Sequence, residues 1–276
     1  MDKPETIENI IIVKLGGAEG VNAGAICADV AALKQAGLNL VLVHGGSADT
    51  NSLSQALQHP PRFIISPSGY SSRYSDRRTI EIFAMAVNGK LNTLLVEQLQ
   101  ALGVNALGLC GLDGRLMVAD RKAAIQSLEN GKRKIIRDDY TGKIKSVNAA
   151  LLHTLLSAGY TPVIAPLAIS TEGVALNVDA DRAAAMIAAA LHASVLILLT
   201  AVAGLMRVFP NEHTIIGSLS QTQLDQALQY AEGRMKKKIL SAQEALRAGI
   251  QKVIIADGRQ GQPITRALAG NGTVIQ

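Results

Sequence analysis

The sequence predicts an α/β protein with a central, mainly parallel sheet in an αβα sandwich of two lobes, and three observations carry that expectation. The apolar runs at 10–13 and 40–43 show none of the alternation of a half-solvated strand, so both of their faces need cover, as in a parallel sheet under helices. Each run passes directly into a glycine pair, Lys14-Leu15-Gly16-Gly17 and His44-Gly45-Gly46-Ser47, and open α/β sheets bind ligands beyond the carboxyl ends of such strands. A helical stretch lies between them, which makes the start of the chain a βαβ unit.

In chain order, Asn22 can cap a helix to about Gln35, which Gly37 ends. Ser47 or Asp49 opens a second helix towards Leu57, and His59-Pro60-Pro61-Arg62 breaks the alternation. Segments 63–66 and 69–72 read as a short hairpin. Ser75 caps a helix over 76–87, a separate helix runs from about Lys90 to Ala101, and 104–109 is a strand. Residues 111–146 mix glycine, charge and short β segments, as expected of a hairpin insertion across the sheet edge. A helix at 147–157 and a strand at 162–165 follow. After a turn at 170–177 the alternation restarts: helix 179–191, strand 195–200, helices 219–230 and 235–248, strand 252–256 and a closing edge strand 272–275. The turn sets a lobe boundary, giving lobes 1–173 and 174–276.

Of the 276 residues 48% are hydrophobic and none is Trp, so the core is aliphatic. No apolar run reaches the roughly 18 residues of a membrane span, and Met1 to Glu8 is polar, so a cytoplasmic protein without a membrane partner is expected. Cys27 and Cys110 lie far apart without zinc-type spacing, which reads as two reduced thiols and no metal ligand set. Residues 60–145 hold 14 Lys/Arg against 8 Asp/Glu, more than the whole net charge of +5, and an acidic partner would dock there. Nucleic acid is not expected, because that stretch lacks interleaved aromatic residues.

There is no GxxxxGK motif and no GxGxxG after the first strand, so a phosphate site has to be built in another way. The candidates are Lys14 beside Gly16-Gly17, the Gly45-Gly46-Ser47 turn, and Gly233-Arg234-Met235-Lys236-Lys237-Lys238 at a helix start. Glycines let backbone N–H groups approach an anion, and lysines at a helix N-terminus oppose the macrodipole unless an anion compensates them. In Asn177-Val178-Asp179-Ala180-Asp181, Asp179 is placed to cap the alanine-rich helix. Asp181 is placed to hold Lys14 and one lysine of 236–238 on either side of a transferring phosphoryl group.

These segments, in this order and across essentially the whole chain, resemble the amino acid kinase superfamily, in particular its N-acetylglutamate kinase branch. The resemblance implies ATP with Mg²⁺ as donor, Lys14 and Lys238 stabilising the transition state, and Asp181 organising both. It implies that Gly17, Gly45, Gly46 and Ser47 contact phosphate or the reacting carboxylate, and that Arg73 and Asn177 hold the amino-acid end of the acceptor. Nucleotide contacts are implied for Gly16, Thr200, Ala201, Val202, Ala203, Gly204, Leu205 and Met206, with Ala201 replacing the usual aspartate. Segments 16–20, 59–63, 72–83, 108–115 and 139–142 look more particularly like the LysZ kinases. That likeness implies an acceptor, α-aminoadipate or glutamate, carried on a small acidic protein of the LysW type, in lysine or arginine biosynthesis. The basic segment then has an occupant, and the short polar N-terminus implies a homodimer. Two rival readings are a kinase of free N-acetylglutamate and a non-catalytic binding protein that kept the fold.

Overall fold

Strand β1 (Ile10–Leu15) is buried along its whole length, and the computed structural model shows what covers each face. The structure describes residues 9–17, 20–66, 71–129 and 132–276. Ile10 and Ile12 pack on one side with Ala183, Ala184 and Ile187, while Ile11 and Val13 pack on the other with Ile26 and Val30. Period-2 alternation therefore aims Lys14, next in the even series, at the first of these faces.

Helix α1 (Ala23–Gln35) begins as expected, with the Asn22 side chain accepting from the Ala25 N–H at 3.0 Å, and leads to β2 (Asn39–His44), parallel to β1. Helix α2 (Ser47–Ala56) opens at Ser47 as expected, with Gly46 as its N-cap and no side-chain cap hydrogen bond. Strands β3 (Phe63–Ile65) and β4 (Ser71–Arg73) form the expected hairpin, whose residues 67–70 lie outside the described residues.

The helix after the hairpin is capped by Asp76, which accepts from the Thr79 N–H at 2.8 Å, and not by Ser75. It does not break near Asn88-Gly89. Helix α3 (Arg77–Ala84) runs through a π-helical segment (Met85–Asn92) into α4 (Thr93–Ala101) without interruption. Ala86, Val87 and Asn92 are buried there, so packing overrides the weak helix propensity of Asn and Gly.

Strand β5 (Ala106–Gly111) precedes the insertion, which is two nested hairpins. The outer pair, β6 (Met117–Arg121) and β9 (Gly142–Val147), extends the main sheet, and the inner pair, β7 (Ile125–Glu129) and β8 (Lys132–Ile136), is a separate ribbon. Helix α5 (Ala149–Ser157) is capped by Asn148, so Val147 belongs to the strand. Strand β10 (Thr161–Ile169) is longer than expected and turns back antiparallel into β11 (Ala175–Asn177).

The rest of the chain forms α6 (Ala180–Ala190), β12 (Val195–Thr200), β13 (Ser218–Leu219), α7 (Leu224–Ala227), α8 (Gly233–Arg247), β14 (Val253–Asp257), α9 (Pro263–Leu268) and β15 (Thr273–Ile275). The single helix expected over 219–230 is instead a strand end followed by α7 between 3₁₀ turns, and α9 was not foreseen. The main sheet runs β13-β15-β14-β12-β1-β2-β10-β6-β9, with β5 also on β10. β15 is thus flanked on both sides, and the edge is β13. β1 and β12 meet in the middle, so both proposed lobes contribute to one continuous sheet. Cys27 and Cys110 are free and buried, and burial pushes the Cys27 thiol up to about 11.

Candidate active site

Three elements deliver charge to one point beyond the carboxyl ends of β1 and β12. Lys14 is the penultimate residue of β1, Asp181 sits in the first turn of α6, and Lys238 lies in the second turn of α8. Asp179 caps α6, with Oδ1 accepting from the Asp181 N–H at 3.0 Å and the Arg182 N–H at 3.1 Å. That cap fixes the backbone that presents Asp181. Lys14 Nζ lies 2.8 Å from Asp181 Oδ1, and Lys238 Nζ lies 3.0 Å from both carboxylate oxygens.

All three groups are buried, so their charges interact with little screening. Burial alone would raise the Asp181 carboxyl, but the two lysines overcome it and hold the group far below the usual carboxylate range. For Lys238, burial and repulsion from Lys14 outweigh the attraction of Asp181, and its ammonium falls to about 8. Two ammonium groups on one carboxylate leave an excess positive charge, which favours an anion at this point.

The space in front of the cluster is a cleft of about 180 Å³, lined by Lys14, Gly17, Ser47, Asp179, Thr200 and Lys237 among others. Its floor is backbone. A Cβ on Gly17 would stand 2.4 Å from Gly46 N, and one on Gly45 would stand 2.9 Å from Gly17 N, so the two turns interlock only as glycines. Gly46 offers α2 no side-chain cap, so Asp49 in the first turn complements the dipole while the backbone N–H groups at the helix start stay open to a ligand.

Arg73 of β4 reaches the cleft rim. Its Nη2 donates to Asn51 Oδ1 at 2.6 Å and to Ser47 O at 3.4 Å. Its Nη1 is buried and has no partner among the described residues, and burial lowers the guanidinium. Asn177 Nδ2 donates to Ser75 Oγ at 3.1 Å, and Ser75 Oγ donates to Arg73 O at 3.3 Å, so Asn177 steadies Arg73 through Ser75. Buried Asp139 supports this chain by accepting from the N–H groups of Ser75 and Thr141 at 2.9 and 2.8 Å.

Gly16, Thr200 and Ala201 line the same cleft. Val202 and Ala203 are half-buried beside it, whereas the side chains of Leu205 and Met206 point into the core. Leu205 N donates to Thr273 Oγ1 at 2.9 Å, and a Cβ on Gly204 would stand 2.8 Å from that oxygen. Gly204 and Leu205 therefore anchor the loop on β15, Met206 bridges to Ile215, and none of the three lines the cleft.

Lys237, one of the candidate lysines at the start of α8, has a partner the sequence does not indicate: its Nζ donates to Ser71 O at 3.0 Å and ties α8 to β4. Sequence reasoning did not pair His44 with Asn92: His44 Nδ1 lies 2.9 Å from Gly45 O, and Asn92 Nδ2 lies 3.0 Å from His44 Nε2. Burial, against the Gly45 hydrogen bond and with the help of the Lys14 charge, lowers the His44 imidazole to about 4. A larger cleft of about 640 Å³ lies beside the same glycine turns, between α1, α2 and α4. Among its described lining residues Asp49 is the charged one, and it is paired with Lys90, so this space offers an anion nothing comparable.

A parallel sheet that gathers buried lysines, interlocked glycine turns and an open helix start at one edge defines a phosphate-handling α/β protein. The chain belongs to the amino acid kinase family, whose pattern matches residues 9–257. It is 52% identical to the LysW-aminoadipate kinase of Deinococcus radiodurans, covering 98% of this chain and 92% of that one. It is 48% identical to the LysW-aminoadipate kinase of Thermus thermophilus, covering 97% of this chain and all of that one. In fold it resembles the N-acetylglutamate synthase of Neisseria gonorrhoeae, with a TM-score of 0.79 at 24% identity over 98% of this chain and 60% of that one.

Proposed function

We propose that the protein transfers the γ-phosphoryl group of ATP to the side-chain carboxylate of α-aminoadipate linked to a LysW-type carrier protein, yielding an acyl phosphate in lysine biosynthesis. One observation carries the transfer: Lys14 and Lys238 share the single carboxylate of Asp181 in a buried site, leaving positive charge that a transferring phosphoryl group satisfies. Lys14 and Lys238 stabilise the charge that spreads over the phosphoryl oxygens, and Asp181 holds them apart at fixed positions. Backbone N–H groups at Gly17, Gly46 and Ser47 complete the cradle, while the Gly45 N–H donates to Leu15 O at 3.1 Å and holds the second glycine turn against the first.

The carrier-linked acceptor rests on the two relatives at 52% and 48% identity that bear that name. Arg73, with a buried Nη1 still to be satisfied, receives the acceptor's second carboxylate, and Asn177 orients it. Gly16, Thr200, Ala201, Val202 and Ala203 lie where the nucleotide enters, with Gly204, Leu205 and Met206 supporting that loop. Magnesium fits on the ATP phosphates. Asp181 has both oxygens committed to lysines, and the described residues hold no cluster of three or more His, Cys, Asp or Glu for a metal, so phosphate oxygens and water would supply the ligands.

Lobe 1–173 takes the acceptor and lobe 174–276 the nucleotide, and the basic segment 60–145 receives the acidic carrier in the cytoplasm. Met85 and Leu94 expose apolar surface on the helix over 77–101, which a second copy would cover in a homodimer.

The test is steady-state kinetics with carrier-linked aminoadipate and free N-acetylglutamate across a salt series. The carrier-linked acid is the better substrate, and its KM rises with salt while that of the free acid barely changes. If the free acid is better and salt affects both equally, the N-acetylglutamate kinase reading replaces this one.

A further inference from the structure

His44 and Asn92 are buried beside the cleft without a part in the transfer described above. Alternation along β2 places Val41 and Val43 on the α6 face and Leu40 and Leu42 on the α1 face, so His44 follows the latter and approaches the glycine turn from behind. Asn92 closes the π-helical segment. Its Nδ2 donates to Val163 O at 2.9 Å and to His44 Nε2 at 3.0 Å. An amide nitrogen only donates, so Nε2 must accept and the ring proton sits on Nδ1. Nδ1 in turn lies 2.9 Å from Gly45 O, which only accepts. Both contacts select the same neutral tautomer. Gly108 completes the arrangement, since a Cβ there would stand 2.1 Å from Asn92 Oδ1.

A trans peptide is planar, with its C=O and N–H on opposite edges. Holding Gly45 O on the His44 side turns the Gly46 N–H the other way, towards the Gly17 turn, where a Cβ on Gly17 would stand 2.4 Å from Gly46 N. Gly45 and Ser47, on either side of Gly46, line the cleft, and Gly46 itself lines the larger space that adjoins the same turns. We propose that His44 is a positioning residue: the imidazole, locked by Asn92, sets the Gly45–Gly46 peptide so that the Gly46 N–H faces the transferring phosphoryl group. This rests on the reading that transfer occurs between Lys14 and Lys238. The imidazole acts through the backbone and does not touch the reacting atoms.

The test compares His44→Asn, His44→Gln and Asn92→Ala with wild type. Asn places its N–H where Nδ1 stands, and Gln places it where Nε2 stands. His44→Asn therefore keeps kcat within about 3-fold, while His44→Gln and Asn92→Ala lose about 10- to 100-fold in kcat, below the full cost of deleting an oxyanion donor. KM for ATP and acceptor stays within about 3-fold in all three.

A second readout needs no acceptor. Affinity for ADP with magnesium and aluminium fluoride falls about 10-fold in His44→Gln and holds in His44→Asn, while affinity for ADP alone is unchanged in both. Equal losses in the Asn and Gln variants at matched melting temperatures, or a loss carried by KM, overturn the proposal. If wild type prefers another acceptor but the aluminium fluoride contrast persists, the acceptor reading falls and the positioning role stands.

Discussion

Lys14 and Lys238 share one carboxylate, and that arrangement dictates what each substitution does. Removing either lysine leaves a balanced ion pair, so the fold tolerates the change while the excess positive charge disappears. Lys14→Ala and Lys238→Ala should each lower kcat by about 100-fold or more with an unchanged circular dichroism spectrum. Asp181→Asn does the reverse, leaving two buried ammonium groups without a counter-ion. It should cost about 3–5 kcal/mol of stability, and ATP should raise its melting temperature more than it raises that of wild type.

The pH dependence follows from Lys238, whose ammonium is brought down to about 8 by burial and by Lys14. As pH rises through that value the free enzyme loses the charge, so kcat/KM should fall tenfold per unit above it. Bound phosphate favours the charged form, so the corresponding limb in kcat should lie at higher pH, which paired pH–rate profiles would check. At this scale Lys14, Asp181 and one lysine of 236–238 were legible, because a strand-end lysine, an aspartate just past a helix cap and lysines opposing a helix dipole each break a local rule, and the family resemblance singled out Lys238 among the three. The contact of Lys237 was not legible: its partner is a backbone carbonyl 166 positions away, which leaves no mark in the side-chain pattern.

The helix over 77–101 and its π-helical centre carry the consequences at the scale of elements. The sequence suggested a break at Asn88-Gly89, where helix propensity is weakest, yet the chain stays helical and delivers Asn92 against His44. Gly108→Ala should destabilise the protein by about 1–3 kcal/mol in urea unfolding, because its Cβ would fall 2.1 Å from Asn92 Oδ1. Combining it with Asn92→Ala should recover part of that loss, since the clash goes with the amide. Strands 10–15 and 195–200 were readable from their unbroken β-branched and leucine runs. Segment 219–230 was not, since its short turns follow the strand pair β13–β15 and not a local period. The cap at Asp76 was misread as Ser75 because both residue types cap well, and Asp139 takes the Ser75 N–H instead.

For the whole molecule, charge decides how a carrier approaches. Arg121 is already committed: it stacks 3.8 Å from the Tyr140 ring and donates to Asp139 O at 2.9 Å and Arg137 O at 3.1 Å. Arg133 and Arg137 are exposed and available, whereas the side chain of Lys132 lies outside the described residues. Replacing both arginines by Ala should raise KM for the carrier-linked acceptor several-fold and flatten its salt dependence, with kcat at saturation unchanged. The overall α/β sandwich was legible because every central strand is apolar on both faces. Which strands become neighbours was not, because long-range pairing leaves no signal in one sequence.

That pairing has a consequence for synthesis. β1 docks against β12 with Ile11 opposite Val195, so the first strand leaves the ribosome long before the strand that will cover its second edge. Until then a strand apolar at every position but Lys14 offers unpaired N–H and C=O groups to any neighbouring chain. A nascent or truncated polypeptide ending before Val195 is therefore an aggregation hazard and a natural client for chaperones, although the finished fold conceals β1 at its centre.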